Sequence, residues 1–207
     1  MIIAIDGAAA TGKSTVCRSL AGNLGYPYFN AGLLYRAVTL WTLNSGAEVG
    51  QLDPHLVSEA CSSLSVEFVA LATRIIIHGE DVTSRLGDPE VVAGVPRTSA
   101  NTAVRSSLME VQREVARRCL AASGGVVVDG RDATTLVWPE AEVRVLLVSG
   151  TNFGKNGEEV STRNSLDSTH TDFFTDRPGI STIRTTPESL DDVVRKSLLM
   201  VSAHSAL

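Results

Sequence analysis

Ile2-Ile3-Ala4-Ile5-Asp6-Gly7-Ala8-Ala9-Ala10-Thr11-Gly12-Lys13-Ser14-Thr15 lies at the start of the sequence. Four apolar residues lead into G-x-x-x-x-G-K-S over positions 7–14, and a helix-forming stretch follows. Strand, glycine-bracketed loop and helix in that order are the context that makes this spacing a specific phosphate-binding signature. Gly7 and Gly12 let the backbone turn so that successive N–H groups converge on one anion-sized hollow. The helix opening near Lys13 adds the positive end of its dipole. Gly7, Ala8, Ala9, Ala10, Thr11, Gly12, Lys13, Ser14 and Thr15 are therefore candidate binders of a nucleoside triphosphate's phosphates. Lys13 is the cation for the outer phosphates, and the Ser14 hydroxyl is a candidate Mg²⁺ ligand.

Working outward, residues 2–6 read as a buried parallel strand and 14–24 as a helix closed by Gly25. Tyr28-Phe29 is a short strand, and 32–43 a helix ending before the turn signal Asn44-Ser45-Gly46. Residues 56–64 and 89–95 predict helices, with strands at 66–69 and 74–78. A long helix over 102–122 presents Leu108, Val111, Val115 and Leu120 on one face, and Gly124-Gly125 stops it. Val126-Val127-Val128 and 143–148 are buried strands, 180–183 a last strand, and 190–201 a final helix. Strands alternating with helices predict an α/β fold, a three-layer parallel sheet flanked by helices. Residues 1–46 and 101–207 are expected to form the phosphate-binding core, with 47–100 inserted into it and a polar lid at about 150–168.

Asp129 ends an apolar strand, the usual place for the acidic partner of a phosphate-loop Mg²⁺ site, often acting through water. Arg131 and Asp132 follow at once. Strand ends in a parallel sheet line the ligand crevice, so Arg131 suits a bidentate phosphate clamp. A plain salt-bridged turn is the alternative for these three residues, since turns favour Asp and Gly. Arg36 and Arg105 are helix residues, each either solvated or turned to the same crevice.

Beyond the loop, Asn30-Ala31-Gly32-Leu33-Leu34-Tyr35-Arg36, Gly79-Glu80-Asp81-Val82-Thr83, and Val128-Asp129-Gly130-Arg131-Asp132 with Val137-Trp138-Pro139 carry a resemblance. The chain resembles bacterial cytidylate (CMP/dCMP) kinases, nucleoside monophosphate kinases of the P-loop class. The likeness spans residues 1–148 well and 163–200 loosely. It implies ATP as phosphoryl donor, Mg²⁺ as cofactor, CMP or dCMP as acceptor, and a monomer. It implies that Arg36, Arg105 and Arg131 hold the acceptor's 5′-phosphate, that Asp132 meets its sugar and that Asp167 meets the cytosine amino edge. Lys13, Arg131 and Arg163 would act on the transferring phosphoryl. The insertion would be the acceptor-binding subdomain.

Departures from the family pattern keep two alternatives open. Asn30-Ala31 replaces an Asp-Ser/Thr pair, so the hydroxyl used on the base is missing; His170 and Asn164 also depart. The stretch 151–160 is shorter than the family's Arg-rich lid, and Lys155 is its only cation. A lid supplies charge and excludes water, and one well-placed arginine is worth roughly 10³–10⁵ in rate. The same fold could thus act on a modified cytidylate or another small phosphate-bearing acceptor, or be a weakly active nucleotide binder.

With 207 residues, 43% hydrophobic and 20% charged, the chain suits one α/β domain with an insertion. A net charge of −5 argues against nucleic acid as a partner, since such binders carry basic faces. Cys17, Cys61 and Cys119 lack metal-type spacing and read as reduced packing residues. The N-terminal apolar run is too short for a signal or membrane segment, so a cytoplasmic protein is expected.

Overall fold

A computed structural model describes residues 1–8, 11–149, 178–186 and 189–205. The chain divides into two compact units, 1–30 with 118–207, and 31–117. The expected insertion, 47–100, lies wholly within the second.

In the first unit, β1 (Ile2–Gly7), β2 (Tyr28–Asn30), β6 (Val126–Asp129), β7 (Val143–Ser149) and β8 (Ser181–Thr185) form one sheet in the order β2-β6-β1-β7-β8. Every pairing in it is parallel. A parallel sheet is covered on both faces, which is why its strands read as continuous apolar runs. One face carries Ile3, Ile5, Tyr28, Val127, Val143, Val145, Leu147 and Ile183. Helices α1 (Lys13–Leu24) and α6 (Leu190–Ser205) pack there through Val16, Cys17, Leu20, Ala21, Val193 and Val201. Ala4, Asp6, Val126, Val128 and Leu146 point to the other face and are also buried. The register sets Asp129 beside Ile5 of β1 and Asn30 of β2. The carboxylate at the end of β6 is thereby brought to the mouth of the loop that leaves β1.

The second unit holds α2 (Gly32–Ser45), α3 (Pro54–Ser62), the antiparallel sheet β3 (Leu64–Val69)–β4 (Ala72–Ile77)–β5 (Glu80–Asp81), a 3₁₀ turn over Thr83–Gly87, α4 (Pro89–Ala100) and most of α5 (Thr102–Ser123). Two boundaries differ from the sequence reading. Helix α3 starts earlier because Asp53 caps it, its Oδ1 accepting from Leu56 N at 2.9 Å with Pro54 at the first helical position. Helix α4 runs through Pro96 to Ala100 although an interior proline costs about 3 kcal/mol. The continuation is tied to α2 by the buried hydroxyls of Thr39 and Thr98, 2.7 Å apart. The stretch 79–83 is fixed locally: Thr83 and Arg74 donate to the Asp81 carboxylate and hold it down at about 2. All three cysteines are buried and unbridged.

Candidate active site

The loop after β1 needs its glycines for space and for backbone sign. A Cβ on Gly7 would lie 2.5 Å from the Leu147 carbonyl oxygen of the neighbouring strand. Gly12 sits in the left-handed region at φ 78°, and a Cβ there would meet Leu190 Cδ2, the first residue of α6, at 2.6 Å. Thr11 is buried and its hydroxyl donates to the Ala8 carbonyl at 3.0 Å, tying the loop across itself. Ala9 and Ala10 lie outside the described residues, while Thr15 is exposed in the first turn of α1.

Lys13 folds back over the loop. Its Nζ donates to the Gly7 carbonyl at 2.6 Å and the Ala8 carbonyl at 2.8 Å. Burial pushes this ammonium below the ordinary lysine range; the charge of Asp129 holds it up and that of Arg131 pushes it further down. Lys13, Asp129 and Arg131 therefore share one electrostatic neighbourhood. At its centre, Ser14 Oγ donates to Asp129 Oδ2 at 2.6 Å, and the Tyr28 hydroxyl donates to the same oxygen at 3.0 Å.

These donors suit a hard divalent cation: a hydroxyl and a carboxylate in contact, both oxygen ligands. Among the described residues nothing hydrogen-bonds Asp129 Oδ1, so that oxygen is available to a metal-bound water. No group of three or more His, Cys, Asp or Glu residues among them could hold a metal ion by itself. Mg²⁺ needs none, because it keeps waters and takes one or two protein ligands besides substrate phosphates.

The turn carrying Arg131 and Asp132 hangs from an anchor that sequence reasoning missed. Asp6 is 2% exposed, and its carboxylate accepts from Ala133 N (2.9 Å), Thr134 N (2.8 Å) and Thr134 Oγ1 (2.6 Å). Burial outweighs these three donors and pushes the Asp6 carboxyl up to about 6. The partners are 127 and 128 residues away in sequence, so no local pattern announces them. Tyr28 was equally hidden, since an aromatic residue in a short strand reads simply as core.

The remaining predicted residues fall into two groups. Arg36 and Arg105 belong to the second unit. Arg36 Nη1 donates to the Leu86 carbonyl at 3.2 Å, and Arg105 lies in the first turns of α5, whose N-terminal N–H groups of Ala103 and Val104 are capped by Asn101 Oδ1. Arg163 and Asp167, with Asn164, His170 and the expected lid at about 150–168, lie outside the described residues.

A parallel α/β sheet whose first strand ends in a lysine- and serine-bearing glycine loop, beside a strand-end aspartate, defines the P-loop nucleotide-phosphate-binding class. The family profile described as cytidylate kinase matches residues 3–153. Named cytidylate kinases of Limosilactobacillus fermentum and Solibacter usitatus are 39% and 37% identical to it, each over 71% of this chain. That of Lactiplantibacillus plantarum is 33% identical over 93% of this chain and 90% of its own length. The chain belongs to the cytidylate kinase family. It spans 62% and 60% of the lengths of the first two relatives. Among the described residues no helix is long and apolar enough to cross a membrane.

Proposed function

We propose that this protein is a nucleoside monophosphate kinase that transfers the γ-phosphoryl group of ATP to CMP or dCMP, giving CDP or dCDP. The observation that carries this reading is the contact of Ser14 Oγ with Asp129 Oδ2 beside the Lys13 loop. Two elements far apart in sequence there present a hydroxyl, a carboxylate and an ammonium together.

Backbone N–H groups of residues 7–15 cradle the donor's phosphates, and Lys13 exchanges its two loop carbonyls for the outer phosphate oxygens. That exchange suits a buried ammonium, whose neutral carbonyl partners compensate its charge less well than an anion does. Ser14 Oγ and, through water, Asp129 would hold Mg²⁺, which would supply charge neutralisation to the donor's phosphates. The family resemblance implies that Arg36, Arg105 and Arg131 bind the acceptor's phosphate and that Asp132 binds its sugar. Arg163 and Asp167 take the phosphoryl and cytosine roles that the family resemblance implies. Little covalent chemistry is required. An oxygen of the acceptor's phosphate attacks the γ-phosphorus in line, the bond from that phosphorus to the β–γ bridging oxygen breaks and ADP leaves, while fixed cations stabilise the spread charge. Residues 47–100 act as the acceptor-holding insertion, and the protein works as a monomer in the cytoplasm.

One observation favours a second acceptor. Ala31 is 3% exposed and caps α2 with no side-chain hydrogen bond, so this position offers a methyl group where the family pattern has a hydroxyl. A site built from hydrogen bonds changes its selectivity when one is removed. ADP release with ATP and Mg²⁺ against CMP, dCMP, UMP, AMP and GMP tests both readings. Turnover confined to CMP and dCMP supports the first. ATP binding without turnover across this panel refutes it in favour of another phosphate-bearing acceptor or a non-catalytic nucleotide binder.

A further inference from the structure

Two hydroxyls meet on one oxygen of Asp129. Ser14 comes from the first turn of α1, and Tyr28 from β2, the edge strand beside β6. The Ser14 contact alone leaves the carboxylate free to swing about it. The Tyr28 contact comes from a different element, a strand fixed in the sheet. Tyr28 is 2% exposed, its strand is paired in register with β6 (Tyr28 beside Val127), and Arg18 lies 5.5 Å from its ring centre. Arg18 is one helical turn beyond Ser14 on α1, so helix and ring brace each other on the side that carries the serine.

We infer that Tyr28 is a positioning residue for the metal of this site. Its hydroxyl, with that of Ser14, occupies Asp129 Oδ2 and so orients Oδ1 as the acceptor for a metal-bound water. The consequence reaches Ser14 as well. A serine that donates its proton to a fixed carboxylate keeps its oxygen lone pairs turned away from that carboxylate, toward a cation. Neither ligand depends on a loop; both are held by the sheet and by α1. This rests on the reading of the site as one for a Mg²⁺–nucleotide complex, and it concerns nucleotide binding, with no acceptor involved.

The test is Tyr28→Phe, which keeps the ring in its place and removes only the hydroxyl. ATP affinity is measured by calorimetry with excess EDTA and across a Mg²⁺ titration, in the wild type and the variant. The expected result is unchanged ATP affinity in EDTA, with the Mg²⁺ concentration for half-maximal enhancement raised about tenfold, the scale of one hydrogen bond to a charged group. Asp129→Asn and the double variant complete a cycle. If Tyr28 acts through Asp129, its effect on the Mg²⁺ dependence disappears once Asp129→Asn is already present. A variant that melts earlier but keeps the wild-type Mg²⁺ dependence overturns the inference and leaves Tyr28 a packing residue. Equal losses with and without Mg²⁺ overturn it too. If the wild type itself binds ATP no better with Mg²⁺, the metal–nucleotide reading fails first, and the two failures are told apart. Should Tyr28→Phe be too unstable for calorimetry, the melting shift given by ATP with Mg²⁺ against ATP with EDTA reads the same difference on the folded fraction.

Discussion

Asp6→Asn isolates a contest between two effects of opposite sign. Three donors on the Asp6 carboxylate favour its ionised form, whereas removal from water favours the neutral one. In this protein burial wins, and the group titrates at about 6 where an exposed aspartate titrates at 3.8. The native state therefore binds this proton more tightly than the unfolded chain does. The stabilisation is fully present below the unfolded value and is lost as the pH rises through about 6. The difference of roughly two pH units corresponds to about 3 kcal/mol in total, of which about 2 kcal/mol falls between pH ~4.5 and ~7.5. Asparagine does not titrate, so it serves as the reference. Urea unfolding of both proteins across that range should show the wild-type advantage over Asp6→Asn shrinking by about 2 kcal/mol as the pH rises. A flat difference, or an advantage that grows with pH, would mean that the hydrogen bonds dominate and that the account of this anchor is wrong. At neutral pH the variant should also loosen the turn carrying Arg131. An asparagine has one acceptor oxygen where the carboxylate uses two, and its NH₂ would then face a backbone N–H of Ala133 or Thr134.

Three further outcomes follow from the same geometry. Lys13→Ala should reduce turnover on the order of 10²–10³-fold or more while moving the melting temperature by only a few degrees, because the variant that loses two carbonyl contacts also loses the cost of burying the ammonium; a large loss of thermal stability would mark Lys13 as structural. Gly12→Ala should cost about 1–2 kcal/mol for the left-handed backbone alone and more for displacing Leu190, with part of the lost melting temperature recovered by adding Leu190→Ala; a Gly12→Ala protein that melts like the wild type would refute the contact. Arg131→Ala should raise the acceptor KM about tenfold or more, the scale of a charge-assisted phosphate contact, and leave ATP affinity in EDTA within about twofold; unchanged acceptor dependence in steady-state kinetics would remove that role.

Much of this molecule was legible from local pattern. The apolar runs at 2–5, 126–128 and 143–148 read as buried parallel strands because both faces of such a sheet are covered. The breaks at Gly25, Gly46 and Gly124 end helices where the chain needs left-handed backbone. Local signals failed where tertiary contacts overrode them. Pro96 reads as a helix end, yet the Thr39–Thr98 pair carries α4 past it. The buried stripe of α5 includes Gln112, 2% exposed, which no apolar periodicity could mark.

By itself, the sequence determined the phosphate loop, because glycine spacing, the lysine and the serine are all set within eight consecutive residues. It also determined that the aspartate ends an apolar strand. Only the tertiary structure decided which groups this aspartate meets. The parallel register places Asp129 beside Ile5 and Asn30, and that placement brings it to Ser14 and Tyr28, 115 and 101 residues away. The same holds for Asp6 and Thr134. Hydrogen bonds of this kind depend on strand order and register, which are fixed by burying both faces of the whole sheet and cannot be set by any segment alone.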